Sequence, residues 1–162
     1  MKASLRGVFA VVVCLAVICA DHRVCGQTSC VPPPPGLVAW WAGEGNALDS
    51  IGGNNGTAFG QVSYAPGKVR QAFVLDGVTG HIRIPDSPSL RFTNALTLEA
   101  WVNPRVNAAQ CIITKYDLAL GLGQMSYTLY LNPDGHAYMT LSASGDIYDT
   151  ITVSNSTAVP LG

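Results

Sequence analysis

Charge is the scarcest commodity in this 162-residue chain. Asp, Glu, Lys and Arg make up 12% of it, about half of the roughly 25% usual in globular domains. Only two glutamates occur, Glu44 and Glu99. Neither has another carboxylate two or four residues further on, so no strand carries the same-face acid pair that glycoside cleavage uses. Beyond the extreme N-terminus no Lys/Arg cluster exists, and the formal net charge is −1. That excludes a nucleic-acid surface and a polybasic membrane patch. No CxxC and no Cys/His spacing is present, which removes zinc held through sulfur. GxSxG, HExxH and phosphate-cradling glycine loops are missing too. His81 and His136 stand at strand starts with no nucleophile beside them in sequence. No segment sustains a 3.6-residue apolar period, so amphipathic helices are not expected.

What the chain does have begins at its N-terminus. Met1, Lys2 and Arg6 precede an apolar run from Gly7 to Ala20, the pattern of a secretory signal peptide. The run is too short to span a bilayer, which takes about 20 residues. No transmembrane segment is therefore expected in the mature chain, whose destination is secretion or the cell surface. Cleavage after Ala20 or after Gly26 would each leave a small residue at the cut. The second choice leaves Cys30 and Cys111 as a pair that an oxidising compartment can join; the first leaves Cys25 as well, and an odd thiol. Gln27 to Gly36 contains Pro32–Pro35 and reads as an extended spacer. The expected organisation is thus leader 1–26, Pro-rich linker 27–36 and one domain over 37–162.

From Gly36 onward the period is two. Strands are expected at Leu37–Ala42, Ala72–Leu75, His81–Ile84, Leu96–Asn103, Cys111–Lys115, Tyr127–Leu131, His136–Ser142 and Tyr148–Ser154. Gly-, Pro-, Asn- and Asp-rich turns separate them. The segment "LTLEAWVN" alternates cleanly, with Leu96, Leu98, Ala100 and Val102 on one face. "YTLYLNPDGHAYMTLSAS" reads as a hairpin on a type I turn, with Pro133 second and Gly135 last. A single helical turn is expected near Asp86–Leu90. Many short strands at this spacing predict an all-β antiparallel sandwich.

Taken in order, "GLVAWWAGEGNALDSIGGNNGT", "YAPGKVRQAFVLDGVTGHIRIPDSPSL", "ALTLEAWVNP", "IITKYD" and "YTLYLNPDG" resemble the laminin-G-like domains of the concanavalin A-like lectin/glucanase superfamily. The resemblance runs from about Gly36 to Gly162 and implies a two-sheet jelly roll. Two departures stand out. Arg70 occupies a position that is Gly in the family pattern "GKVGQA", and the family continues past "STAVPLG" into further strands, so the jelly roll is expected to lack its last strands. Catalytic members carry a Glu-x-Asp-x-Glu strand that is absent here, so the resemblance implies a non-catalytic module. Its expected ligand is a glycan or an extracellular protein; an accessory domain of a secreted hydrolase and an adhesin spacer are the alternative readings. Lectins of this fold hold calcium with loop oxygens; Asp49, Asn54, Asn55 and Asp76 are the candidate ligands, though Asp and Asn also stand in turns for conformational reasons. Trp40 and Trp41, adjacent on an expected strand, would face opposite sides of a sheet. One belongs to the core, and the other either stacks on a sugar or covers the second sheet.

Overall fold

In a computed structural model of the chain, the described residues are 32–117 and 124–162. The chain divides into two compact units, Met1–Pro35 and Gly36–Gly162. The expected leader, both of its cleavage sites and Cys30 lie outside the described residues. All strands of the described residues belong to the second unit, Gly36–Gly162.

This unit is all-β and antiparallel, with no α-helix among the described residues. Strands β1 (Thr57–Phe59) and β4 (His81–Arg83) pair, as do β2 (Val62–Pro66) and β3 (Gln71–Leu75). The two pairs form one long hairpin with a step in it. Phe59 sits opposite His81 and Val62 opposite Leu75, so Gly60 and Gln61 face the longer segment Asp76–Gly80. The hairpin's tip is the turn Gly67–Arg70, closed by the Gly67 N–H donating to the Arg70 carbonyl (2.8 Å). Arg70 has φ +53°, the sole non-glycine at positive φ among the described residues. The family's glycine position is therefore occupied here by a residue for which that backbone is unfavourable.

A single 3₁₀ turn at Pro88–Leu90 fulfils the expectation of a helical turn and leads towards the main sheet. That sheet runs β5 (Gln110–Asp117), β6 (Gln124–Leu131), β7 (Ala137–Ser142) and β8 (Thr150–Ser154), in sequence order. The β6–β7 turn is the expected one: Gly135 N–H donates to the Asn132 carbonyl (2.9 Å), and Gly135 takes φ +81°. Any side chain there would be strained, which is why Gly closes this turn.

Register sorts the main sheet into two unlike faces. Tyr127, Leu129 and Leu131 align with Leu141, Met139 and Ala137, and the first two of these neighbours in turn with Ile151 and Val153. This is the apolar face. The 3₁₀ turn region packs on it: Tyr127 OH donates to the Leu90 carbonyl (3.3 Å), and the Phe92 and Tyr127 rings lie 6.0 Å apart. Among the described residues Tyr127, Leu131, Leu90 and Ala47 are the buried hydrophobic side chains, and no large one is fully enclosed. The core is thin.

Two expected strands are not formed. Leu37–Ala42 keeps only an isolated bridge, Trp41 to Asp49, because the Asp49 loop, rather than a strand, lies against it. Leu96–Asn103 has no strand partner among the described residues. Leu96 and Leu98 are half-buried as the alternation requires, yet Ala100 and Val102 are exposed. Alternation describes which side chains turn inward, whereas a strand also needs a neighbour for its N–H and C=O groups. Conversely, β1 and β2 were not expected; Gly60 interrupts their pattern at the hairpin's step.

Candidate functional site

Asp49 is the hub of the first loop. Its Oδ1 accepts the N–H groups of Trp40 (2.8 Å) and Ile51 (3.0 Å). Oδ2 accepts those of Gly52 (3.1 Å) and Asn54 (2.9 Å), and Asn54 Nδ2 as well (3.1 Å). Burial pushes the carboxyl's pKa up, but the four backbone donors outweigh it and hold it at about 2. Both asparagines join the same knot. Asn55 Oδ1 accepts the Asp49 N–H (3.0 Å), and the Asn54 carbonyl accepts Trp41 Nε1 (2.8 Å). Asn54 Oδ1 accepts Ser89 Oγ (3.0 Å), tying the loop to the 3₁₀ turn. Trp41 is thereby the inward tryptophan of the pair, while Trp40 is 51% exposed.

Asp76 does the equivalent work at the hairpin's step. Its Oδ1 accepts the N–H groups of Val78 (3.0 Å), Thr79 (2.9 Å) and Gly80 (2.6 Å), and Oδ2 accepts Thr79 Oγ1 (2.8 Å). The Gly80 N–H first, then those of Val78 and Thr79, hold its carboxyl well below the usual range. These bonds fold the extra residues Asp76–Gly80 into a compact bulge.

The structure thus brings Asp49, Asn54 and Asn55 together and puts Asp76 in a different turn. In this arrangement the Asp49 and Asp76 carboxylates serve as acceptors for their own loops. A hard cation needs carboxylate and carbonyl oxygens turned towards one empty point, and here the carboxylate oxygens are surrounded by N–H hydrogens of positive partial charge. Among the described residues no group of three or more His, Cys, Asp or Glu is placed to hold a metal ion. The sequence carried a signal for this outcome. Asp followed within five residues by Gly, with Asn or Thr among them, as in "DSIGGN" and "DGVTG", is the pattern of a side chain capping its own turn. Cys111 stands on β5 as a free thiol, and its expected partner Cys30 lies outside the described residues.

A third carboxylate, Asp86, accepts Arg91 and Lys115 side chains. The hydrogen bond from Arg91, then that from Lys115, holds its pKa well below the usual range. This links the segment before the 3₁₀ turn to β5.

The polar face of the main sheet is a different kind of surface. Thr114, Thr128, Thr140 and Thr152 form one row across all four strands. Their hydroxyls bond in pairs, Thr114 to Thr128 (2.8 Å) and Thr140 to Thr152 (2.9 Å). In the next row Tyr130 and Tyr138 stack, with centroids 5.5 Å apart and planes 21° from parallel. Tyr138 OH donates to Asp134 Oδ2 (2.9 Å), and Asp134 Oδ1 accepts the His136 N–H (2.9 Å). His136 Nδ1 lies 3.0 Å from the Asn155 carbonyl. Neither row contains a charged side chain. Sequence reading missed this surface because the hydroxyl-bearing residues are scattered over four strands and only the register aligns them.

The stepped hairpin followed by a four-stranded antiparallel sheet is accompanied by a family profile that matches residues 76–162, described as the concanavalin A-like lectin/glucanases superfamily. The chain belongs to this laminin-G-like family. No curated protein matches the domain closely. A solved structure, that of an S-layer domain-containing protein from Clostridium thermocellum, resembles it with a TM-score of 0.60 at 20% identity. The superposition covers 76% of this chain and 59% of that one, so the laminin-G-like chain spans less than two thirds of the structure it matches. At that identity the likeness speaks for the fold.

Proposed function

We propose that this laminin-G-like domain is a non-catalytic recognition module, secreted or displayed at the cell surface, and that it binds a neutral glycan on the polar face of its main sheet. The observation that carries the reading is the Tyr130–Tyr138 stack beside the Thr114–Thr152 row. Aromatic rings offer apolar faces to sugar C–H groups, and the exposed hydroxyls of the row, Thr114 and Thr152, can both donate and accept to sugar hydroxyls, while Thr140 is buried. The two rows themselves carry no charged side chain, which suits an uncharged ligand, and the one carboxylate nearby, Asp134, is held by the Tyr138 hydroxyl. The absence of catalysis is argued from the carboxylates: Asp49, Asp76 and Asp86 hold loops together, and Glu44 and Glu99 fall on separate segments and are not paired on one strand. Export is supported by the N-terminal sequence pattern. This reading assigns the Asp49 and Asp76 carboxylates to their loops, whose N–H groups they accept.

The test is isothermal titration of the folded protein against neutral polysaccharides, with Tyr130→Ala and Tyr138→Ala as paired variants. Either variant should weaken binding about two- to tenfold, since an aromatic stacking contact is worth about 0.5–1.5 kcal/mol. Binding unchanged in both variants, or turnover of the polysaccharide, would refute the reading. Silence on glycans with retained binding to an extracellular protein would move the ligand class to protein.

A further inference from the structure

We infer that Asp134 sets the specificity of the polar sheet face: the rim it forms with the Tyr138 phenol accepts hydrogen bonds and donates none, so it selects glycans that bring unsubstituted hydroxyls to it. The inference rests on the neutral-glycan reading proposed above and narrows its ligand class to sugars free of ester, ether and sulfate groups at that contact. The register fixes the order of residues along the face. From the β6–β7 turn inward come Asn132–Gly135, then the Tyr130–Tyr138 pair, then the Thr128–Thr140 pair. The two sides of the tyrosine pair differ in hydrogen-bonding character. On the threonine side, Thr114 and Thr128 share one bond between two hydroxyls, so one of their two hydrogens stays free to donate.

The turn side is different. The Tyr138 hydroxyl commits its only hydrogen to Asp134 Oδ2 (2.9 Å), which leaves the phenolic oxygen able to accept but not to donate. Asp134 Oδ1 accepts the His136 N–H (2.9 Å). A carboxylate has room for about four hydrogen bonds, and Asp134 is exposed, so it keeps acceptor capacity for a ligand. It takes part in neither ion pair found among the described residues. The His136 N–H first, then the Tyr138 hydroxyl, hold its carboxyl below the usual range; it is therefore ionised at neutral pH. His136 Nδ1 lies 3.0 Å from the Asn155 carbonyl, an oxygen that only accepts. The hydrogen of the neutral ring thus sits on Nδ1, and Nε2 is left as a further acceptor. A sugar hydroxyl can turn its hydrogen towards this rim, where the ionised oxygen makes the stronger kind of bond. An acetyl ester or methyl ether has no hydrogen to turn, and a sulfate brings like charge. Acceptor set against acceptor costs more than a missing contact, which is how the rim discriminates.

The test is isothermal titration of the folded protein with a soluble β-glucan, an α-mannan and a galactan, each in native and O-acetylated form. At least one native polysaccharide should bind, and its acetylated form should bind about tenfold more weakly or worse, the loss of a hydrogen bond to an ionised acceptor. Asp134→Asn offers an NH₂ donor where the carboxylate only accepts, and should bring the two forms within about threefold of each other. Asp134→Ser removes the carboxylate with another residue suited to turns and should do the same, so the result does not hang on the folding of one variant. Tyr130→Ala should weaken both forms alike and leave their ratio, which separates the ring platform from the rim. A ratio unchanged in both Asp134 variants, with Tyr130→Ala still weakening binding, overturns this inference alone. Binding of none of the three polysaccharides, or binding indifferent to Tyr130→Ala, overturns the glycan reading and this inference with it.

Discussion

Replacing Arg70 by glycine should make this domain more stable, although it removes a side chain and adds none. Arg70 closes the β2–β3 turn at φ +53°, where an L-residue is disfavoured by about 1–2 kcal/mol. Glycine removes that penalty. It also loosens the unfolded chain, which gives back about 0.4–1 kcal/mol. The net expectation is a gain of about 0.5–1 kcal/mol, or a rise in melting temperature of about 2–4 °C for a domain of this size. The turn's hydrogen bond runs from the Gly67 N–H to the carbonyl of residue 70, so the substitution leaves it in place. Among the described residues Arg70 makes no salt bridge whose loss would offset the gain.

The comparison that isolates the cause is Arg70→Ala. Alanine removes the charge and keeps the Cβ, hence the strain, and should give no increase. Arg70→Asn should fall between, since asparagine tolerates the left-handed region better than most residues. Urea unfolding followed by far-ultraviolet circular dichroism reads the difference, provided the slope with denaturant is unchanged. Stabilisation by Arg70→Ala equal to that by Arg70→Gly would refute the backbone argument and leave charge as the cause.

Three further outcomes follow from the loops. Asp49→Asn keeps one acceptor oxygen and turns an NH₂ group towards N–H donors, and should destabilise the domain by about 2–3 kcal/mol in urea unfolding. Because Asp49 is held at about 2 when folded against 3.8 in its ordinary state, its contribution is fully present above about pH 4 and is lost as pH falls towards 2; an acid titration of stability should lose about 1–2 kcal/mol there, and Asp49→Asn should flatten that part of the curve. EDTA should leave the melting temperature where it was, and a rise of several degrees on adding millimolar calcium would contradict the account of the Asp49 and Asp76 loops.

The parts of this fold that sequence reading reached are those whose causes are local. "NPDG" specifies its own turn through proline's fixed φ and glycine's freedom, and the strands on either side of it alternate without interruption. The 3₁₀ turn follows from Pro88 just after Ser87. Other parts depend on residues far away in sequence. "LTLEAWVN" has a clean alternation, yet with no neighbouring strand among the described residues it forms no ladder, and Trp101 stands 78% exposed. The short strands β1 and β2 carry a weaker pattern and do pair, because the long hairpin places β4 and β3 beside them. The polar sheet face was illegible for the same reason. Thr114 and Thr152 belong to one row only once three ladders have been placed in register.

The candidate metal ligands show how one composition can serve two opposite electrostatic ends. A carboxylate in a glycine- and asparagine-rich loop is what a calcium site needs, and equally what an unsupported loop needs to satisfy its own N–H groups. The choice turns on what the surrounding backbone points at the oxygens. Around Asp49 and Asp76 it points hydrogens. With no large side chain fully enclosed, apolar burial alone gives the loops little to rest on, and these carboxylates supply the missing constraint: one clasps the segment around Trp40, the other folds the step in the long hairpin. Using the aspartates this way also explains why charge is so sparse elsewhere. Most acidic residues stand at turns and loop junctions, and neither the threonine row nor the Tyr130–Tyr138 row of the main sheet contains a charged side chain.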